Sequence, residues 1–427
     1  MSRRAPTLAA SLVWASPLVV PLASIPLYGG DTPAATLALS GIAFLLAALA
    51  VIFSPQRPIQ LPLVGAFFYV AFIGFARYQG WLSSGMHEYA ALGACGAICL
   101  VGYLAGHNGR LVERLWQWSL WAGGALAVAA FLDFALDPEF SFGRPRPYHS
   151  ERLAAPFLSA NTAATFYGII AVMSAAELSR ILSAPAAHPL KTVERIVVRG
   201  LFPTTFLLFA FSNVILSASR AGLVATSTAL LFLVLWEVLS RLLRGRLSLS
   251  LAKVSSFGGI LILVAGALFL ASGDLLQDRL ASAGEDDTRI VLLQAYSSAV
   301  DLEPVFGHGL GSFAWVNDLI VTPENADLLQ TQGAAHNVYL QWLIQAGIVG
   351  TALLAFILLP ILLSIFMGLF RRRRRTTYLR ATLCIVMLVG AHGMVDYALE
   401  IPMVAWWFAW IIGLAAGLSV KGASHEN

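Results

Sequence analysis

The chain has 427 residues, 58% of them hydrophobic and 12% charged, with a mean hydropathy of +0.76. Soluble domains carry about 25% charged residues, so the composition excludes a soluble fold and indicates an all-α polytopic membrane protein. The formal charge of +4 and the pI near 9.0 reflect where Arg and Lys are placed, and no nucleic-acid partner is expected.

A bilayer-crossing helix needs about 20 apolar residues, and about twelve such stretches follow one another, at roughly 8–28, 34–53, 59–76, 89–106, 116–136, 160–179, 201–219, 221–239, 254–272, 338–369, 378–398 and 401–419. The first follows Arg3-Arg4 and has small residues near Ala23-Ser24, as a signal peptide does; it is read as a retained span. The tenth is longer than a crossing requires, so its first turns are expected to stand above the bilayer. Cys95, Cys99 and Cys384 all fall inside predicted spans, which leaves no pair for an extracytoplasmic disulfide. The one long polar stretch lies between spans nine and ten. The chain therefore divides into spans one to nine over 1–271, a large outer segment over 272–337, and spans ten to twelve with a cytoplasmic tail over 338–427.

Sidedness follows from the bias of Arg and Lys toward the cytoplasm. With both termini inside, 20 of the 27 basic residues but only 5 of the 23 acidic ones fall on the inner side, giving +15 inside and −11 outside. The seven outer cations are Arg77, Arg144, Arg146, Arg152, Arg220, Arg279 and Arg289. Each runs against the bias and asks for a reason.

Arg220 sits in Leu216-Ser217-Ala218-Ser219-Arg220-Ala221-Gly222, at the tight outer hairpin between spans seven and eight. Two readings are open for it: snorkelling to lipid headgroups, or a bidentate clamp on phosphate, the geometry a guanidinium matches best. Over 288–302 the pattern is that of an amphipathic helix, with Gln294, Ser297, Ser298 and Asp301 on one stripe and Leu292, Ala295, Tyr296 and Ala299 on the other. Arg289 extends the apolar stripe and is expected to point with it, or to pair with the neighbouring acids. Those acids, Glu285-Asp286-Asp287, suit the helix N-terminus; the alternative of a divalent-metal site lacks residues to complete a shell, and no metal or cofactor is expected. The glycines of Gly307-His308-Gly309-Leu310-Gly311 follow no buried strand, so a dinucleotide fingerprint is rejected in favour of a tight turn on the membrane surface, with His308 incidental. His336 opens the tenth span with Asn337 as a plausible cap. Outside the cytoplasm, at the lip of a membrane cavity, a histidine is placed to accept a proton near neutral pH; a structural histidine is equally open from its residue type alone.

Taken in order, these pieces resemble the O-antigen ligase/polymerase superfamily of bacterial envelope enzymes. The resemblance rests on the 216–222 run, on Asp287-Thr288-Arg289 opening the amphipathic helix, and on Pro304-Val305-Phe306-Gly307-His308-Gly309-Leu310-Gly311-Ser312-Phe313. It continues through His336-Asn337-Val338-Tyr339-Leu340-Gln341 to Gly347-Ile348-Val349-Gly350, about 140 residues in the family's order. Arg152 with Asn161 resembles an upstream family element more loosely. The resemblance implies a GT-C-type glycosyltransferase of the bacterial inner membrane with its active site on the periplasmic side. The donor would be a glycan on undecaprenyl diphosphate, and catalysis would be inverting and metal-independent. His336 would be the base, Arg220 and Arg289 the diphosphate clamp, and Arg77, Arg144, Arg146 and Arg152 would be available to acceptor phosphates. Within the superfamily the ligases fit best: they are typically twelve-span proteins with one large outer loop between spans nine and ten, and their acceptor is lipid A–core. Polymerases and protein O-oligosaccharyltransferases of the same superfamily are the alternatives. A transporter is the competing class, but transporters bind at mid-membrane, where this chain has almost no charge.

Overall fold

The computed structural model describes residues 8–30, 32–54, 60–80, 82–146, 150–183, 189–242, 287–372 and 374–420. The ninth expected span, Arg279 and the Glu285-Asp286 pair lie outside the described residues, as do the side chains of Asp287 and Arg289. Within them the chain is all-α but for a two-residue hairpin, β1 (Phe140–Ser141) and β2 (Arg144–Pro145), in the loop after the fifth expected span. Eight described helices are long and apolar enough to cross a membrane, and two shorter apolar stretches accompany them.

In chain order the helices are α1 (Leu8–Ala15), α2 (Val19–Ala23), α3 (Pro33–Phe53), α4 (Gln60–Tyr78), α5 (Leu82–Gly106), α6 (Gly109–Leu136), α7 (Ala160–Ser183), α8 (Pro189–Leu216) and α9 (Arg220–Leu242). After the undescribed stretch come α10 (Asp287–Leu302), α11 (Phe313–Ile320), α12 (Ala326–Leu329), α13 (Val338–Arg371), α14 (Thr376–His392) and α15 (Pro402–Val420). Eleven of the twelve expected spans thus have a helical counterpart. Two differ in kind. The first is not one helix: α1 and α2 are separated and followed by 3-10 turns at Ser16–Leu18 and Ile25–Leu27, because Pro17 and Pro26 remove backbone donors there. The tenth is broken at Gly347, whose φ of 61° and ψ of −171° are not helical, so the extra first turns form a separate short helix.

The chain folds as two compact units, both discontinuous in sequence. The first comprises 1–115, 284–374 and 393–427, and is built round α15, with Trp406, Trp407 and Trp410 wholly buried. A helix apolar on all sides belongs in an interior. It packs closely on α5 because Gly102 and Gly106 face Gly413 and Gly417, where any Cβ would collide with the opposite backbone. The second unit, 116–283 with 375–392, is built round α7, in which Ala163, Ala164, Phe166, Tyr167, Ile169 and Ile170 are inaccessible. α8, α9 and α14 pack on it, and the Arg380–Glu237 ion pair, buried on both sides, ties α14 to α9. A buried ion pair is costly to break because the surviving charge has no partner.

The amphipathic helix expected over 288–302 is α10. Leu292, Tyr296 and Ala299 are buried with Phe313, Val316, Leu329, Leu340 and Ile344 in an apolar cluster, while Gln294, Ser297, Ser298 and Asp301 are exposed. Tyr296 Oη donates to Asn317 Oδ1 at 2.8 Å, and burial raises its hydroxyl pKa above the usual range.

Candidate functional site

In the second unit the 217–219 turn joins α8 to α9 and makes Arg220 the first residue of α9. Ala218 takes a left-handed conformation (φ 48°), and Ser219 caps α9: its Oγ accepts from Gly222 N at 3.2 Å and its carbonyl from Leu223 N at 2.9 Å. Gly222 is required by contact, since a Cβ there would lie 2.6 Å from Ala164 Cβ on α7. Arg152 is buried and grips the turn from the other side. Its Nε donates to the Ser217 carbonyl at 2.8 Å and its guanidinium to Asn161 Oδ1 at 3.2 Å. Arg220 itself is half-buried. It stands where helix N–H groups and a guanidinium share one end, an arrangement favourable to an anion.

The other upstream arginines are dispersed. Arg146 is engaged with the Phe140 and Arg152 carbonyls, at 2.8 and 2.9 Å, and its guanidinium lies over the Phe134 ring. Burial lowers its pKa, partly offset by Asp133. Arg144 is exposed on β2, and Arg77 is exposed in the last turn of α4.

In the first unit His336 stands just before α13. Its backbone is left-handed (φ 50°), and it is held on both sides: Ala335 N donates to Gln341 Oε1 at 2.7 Å, and Val338 N to the Gly393 carbonyl at 2.8 Å. Asn337 is the helix cap, its Oδ1 accepting from Tyr339 N and Leu340 N at 3.0 and 3.1 Å. The imidazole meets the Tyr397 ring edge-on, with centroids 5.0 Å apart, and stays partly accessible. Arg289 lies in the first turn of α10, in this same unit; Arg220 belongs to the other.

The glycine segment does more than turn locally. It is threaded into the break of α13. There the Ile344 and Gln345 carbonyls accept from His308 N and Gly309 N at 3.0 and 2.8 Å, while Ile348 N and Val349 N donate to the Pro304 and Val305 carbonyls at 2.9 and 3.0 Å. These are the groups that would have paired with one another had the helix continued, so the segment satisfies both sides of the break. The His308 ring packs edge-on against Trp315. The periodicity gave no hint of the break, because Gly347 lies within a stretch apolar enough to read as one long span.

Several polar residues of this region were not legible beforehand. Gln345 Oε1 accepts from Gly311 N at 2.6 Å and its amide donates to Glu400 Oε2 at 3.3 Å, while Leu310 N donates to Tyr89 Oη at 3.1 Å. Glu400 lies outside the spans, and burial, with the nearby Glu88 carboxylate, pushes its pKa up to about 8. In the second unit His392 bonds to Thr165 and Ser219. A single Gln or His inside an apolar run is the only signal that Gln345 and His392 leave. Among the described residues, no group of three or more His, Cys, Asp or Glu is arranged to hold a metal ion.

No curated protein matches the chain. The family model described as O-antigen ligase matches residues 205–355, which contain the Arg220 turn, α10, the threaded glycine segment and the His336-Asn337 cap. Over that stretch this multi-pass membrane protein is similar to the O-antigen ligase family.

Proposed function

We propose that this protein is an O-antigen ligase, a GT-C-type glycosyltransferase that moves a glycan from undecaprenyl diphosphate to a sugar hydroxyl of lipid A–core on the periplasmic face of the inner membrane. The observation that carries the reading is the family match over 205–355, which brackets the outward arginines Arg220 and Arg289 together with His336. The +15/−11 charge partition supports the sidedness.

The chemistry asked of the chain is limited, because a glycosyl diphosphate already carries a good leaving group. The acceptor oxygen attacks the anomeric carbon, the bond from that carbon to the diphosphate oxygen breaks, and undecaprenyl diphosphate departs. Direct displacement inverts the anomeric centre. In this reading His336 takes the hydroxyl proton, and Arg220 and Arg289 neutralise the departing diphosphate as preorganised cations, without a metal. Arg77 and Arg144 are exposed and would meet phosphates of the acceptor; Arg146 and Arg152 hold backbone carbonyls as well.

The test is reconstitution of the purified chain with lipid-linked glycan and lipid A–core, followed by electrophoresis of the product. A ligase joins the two. Deleting the gene should leave polymerised glycan on its lipid carrier and the core uncapped; core bearing a single repeat unit would instead identify a polymerase.

A further inference from the structure

His392 ends α14 inside the second unit and is 1% exposed. An imidazole there displaces an apolar side chain that would have packed without cost, so its retention needs polar partners. It has them on both ring nitrogens: Nδ1 lies 2.7 Å from Thr165 Oγ1, and Nε2 lies 3.4 Å from Ser219 Oγ. Thr165 and Ser219 are themselves 2% and 4% exposed. The bonds are mutually consistent with the proton on Nδ1. Thr165 Oγ1 then accepts from Nδ1 and donates to the Asn161 carbonyl at 3.4 Å, while Ser219 Oγ donates to Nε2 and accepts from Gly222 N.

Ser219 is the cap of α9 and the residue before Arg220, so whatever fixes its hydroxyl fixes the start of that helix. Arg152 already anchors the Ser217 carbonyl two residues earlier. We propose that His392 is a positioning residue: by bridging Thr165 and Ser219 it holds the turn that presents Arg220 to the donor's diphosphate. The inference rests on the ligase reading for what Arg220 binds, but not for what holds the turn.

Two substitutions separate the bonds. In His392→Gln the side-chain oxygen reaches the Nε2 position and still accepts from Ser219. In His392→Asn the amide reaches only the Nδ1 position, so Thr165 keeps its partner and Ser219 loses one. Amide exchange across 217–223, measured on the detergent-purified full chain, should quicken about fivefold in His392→Asn and stay near wild type in His392→Gln, the scale set by one neutral hydrogen bond. The donor kcat/KM in the reconstituted reaction should fall by the same factor in the Asn variant, with the acceptor KM unchanged. Should His392→Asn fail to fold, His392→Leu, similar in volume but without an acceptor for Ser219, carries the same exchange expectation. Equal behaviour of the Asn and Gln variants, or unchanged exchange in a folded Asn variant, overturns the proposal. A wild-type chain that transfers nothing from an undecaprenyl-diphosphate donor overturns the ligase reading instead, and the exchange comparison still decides whether His392 holds the turn.

Discussion

Gly307 and Gly347 touch backbone to backbone at the break in α13: a Cβ on Gly307 would lie 2.6 Å from Gly347 N, and one on Gly347 would lie 2.6 Å from Gly307 N. Both have positive φ, 69° and 61°, and for Gly347 the combination with ψ of −171° is a region open essentially to glycine alone. The contact lets the 304–309 segment replace the missing helical hydrogen bonds. It thereby fixes α13 to the apolar cluster that carries α10 and leads to His336. Gly307→Ala and Gly347→Ala should each cost about 1–3 kcal/mol and lower the melting temperature of the detergent-purified protein. Gly333→Ala, with nothing within 4 Å, is the control and should melt as wild type.

His336→Ala should reduce transfer by about 10²–10⁴-fold, the usual contribution of a general base, with donor binding nearly intact. Retention of more than about a third of the activity would make His336 structural and place the base elsewhere.

Arg220→Lys and Arg289→Lys keep the charge but lose the planar fork, so each should lower activity by about tenfold or more, the worth of a charged hydrogen bond. Full activity in both variants would leave only headgroup snorkelling. Adding EDTA should change neither wild type nor variants, and a reproducible loss would point back to the acids at 285–287.

Glu400 sets an expected pH dependence of stability. Its folded pKa, about 8, stands above the ordinary carboxylate value of 4.5, so between these the native state holds a proton that the unfolded chain has released. Stability therefore falls as pH rises through that window, by at most about 1.4 kcal/mol per pH unit, and is level on either side. Melting curves at about pH 5.5 and about pH 8 should differ in wild type and converge in Glu400→Gln. A wild type that is more stable at the higher pH contradicts this.

Sidedness can be read at Glu324, which is exposed in the loop before α12. In a variant with Cys95, Cys99 and Cys384 replaced, Glu324→Cys should label with an impermeant maleimide in right-side-out vesicles. Labelling confined to inverted vesicles would reverse the whole topology.

The helical, membrane-crossing character of the chain was legible from composition, because a bilayer demands long apolar runs and leaves few other solutions. α10 was legible as well: its stripe at helical spacing became the buried Leu292–Tyr296–Ala299 face. So was the Asn337 cap, since capping is local chemistry between neighbours in sequence. What no local pattern held were the breaks and the long-range pairings. The break at Gly347 depends on a segment some 40 residues earlier arriving to satisfy its orphaned carbonyls and amides. Thr165, Ser219 and His392 come together only because α7, α9 and α14 pack in one unit. The same holds for Gln345 and Glu400, whose bond and raised pKa exist only once α13 and the residues before α15 fold together. Periodicity reports which face of a helix is buried, but not which polar side chain on another helix will meet it there.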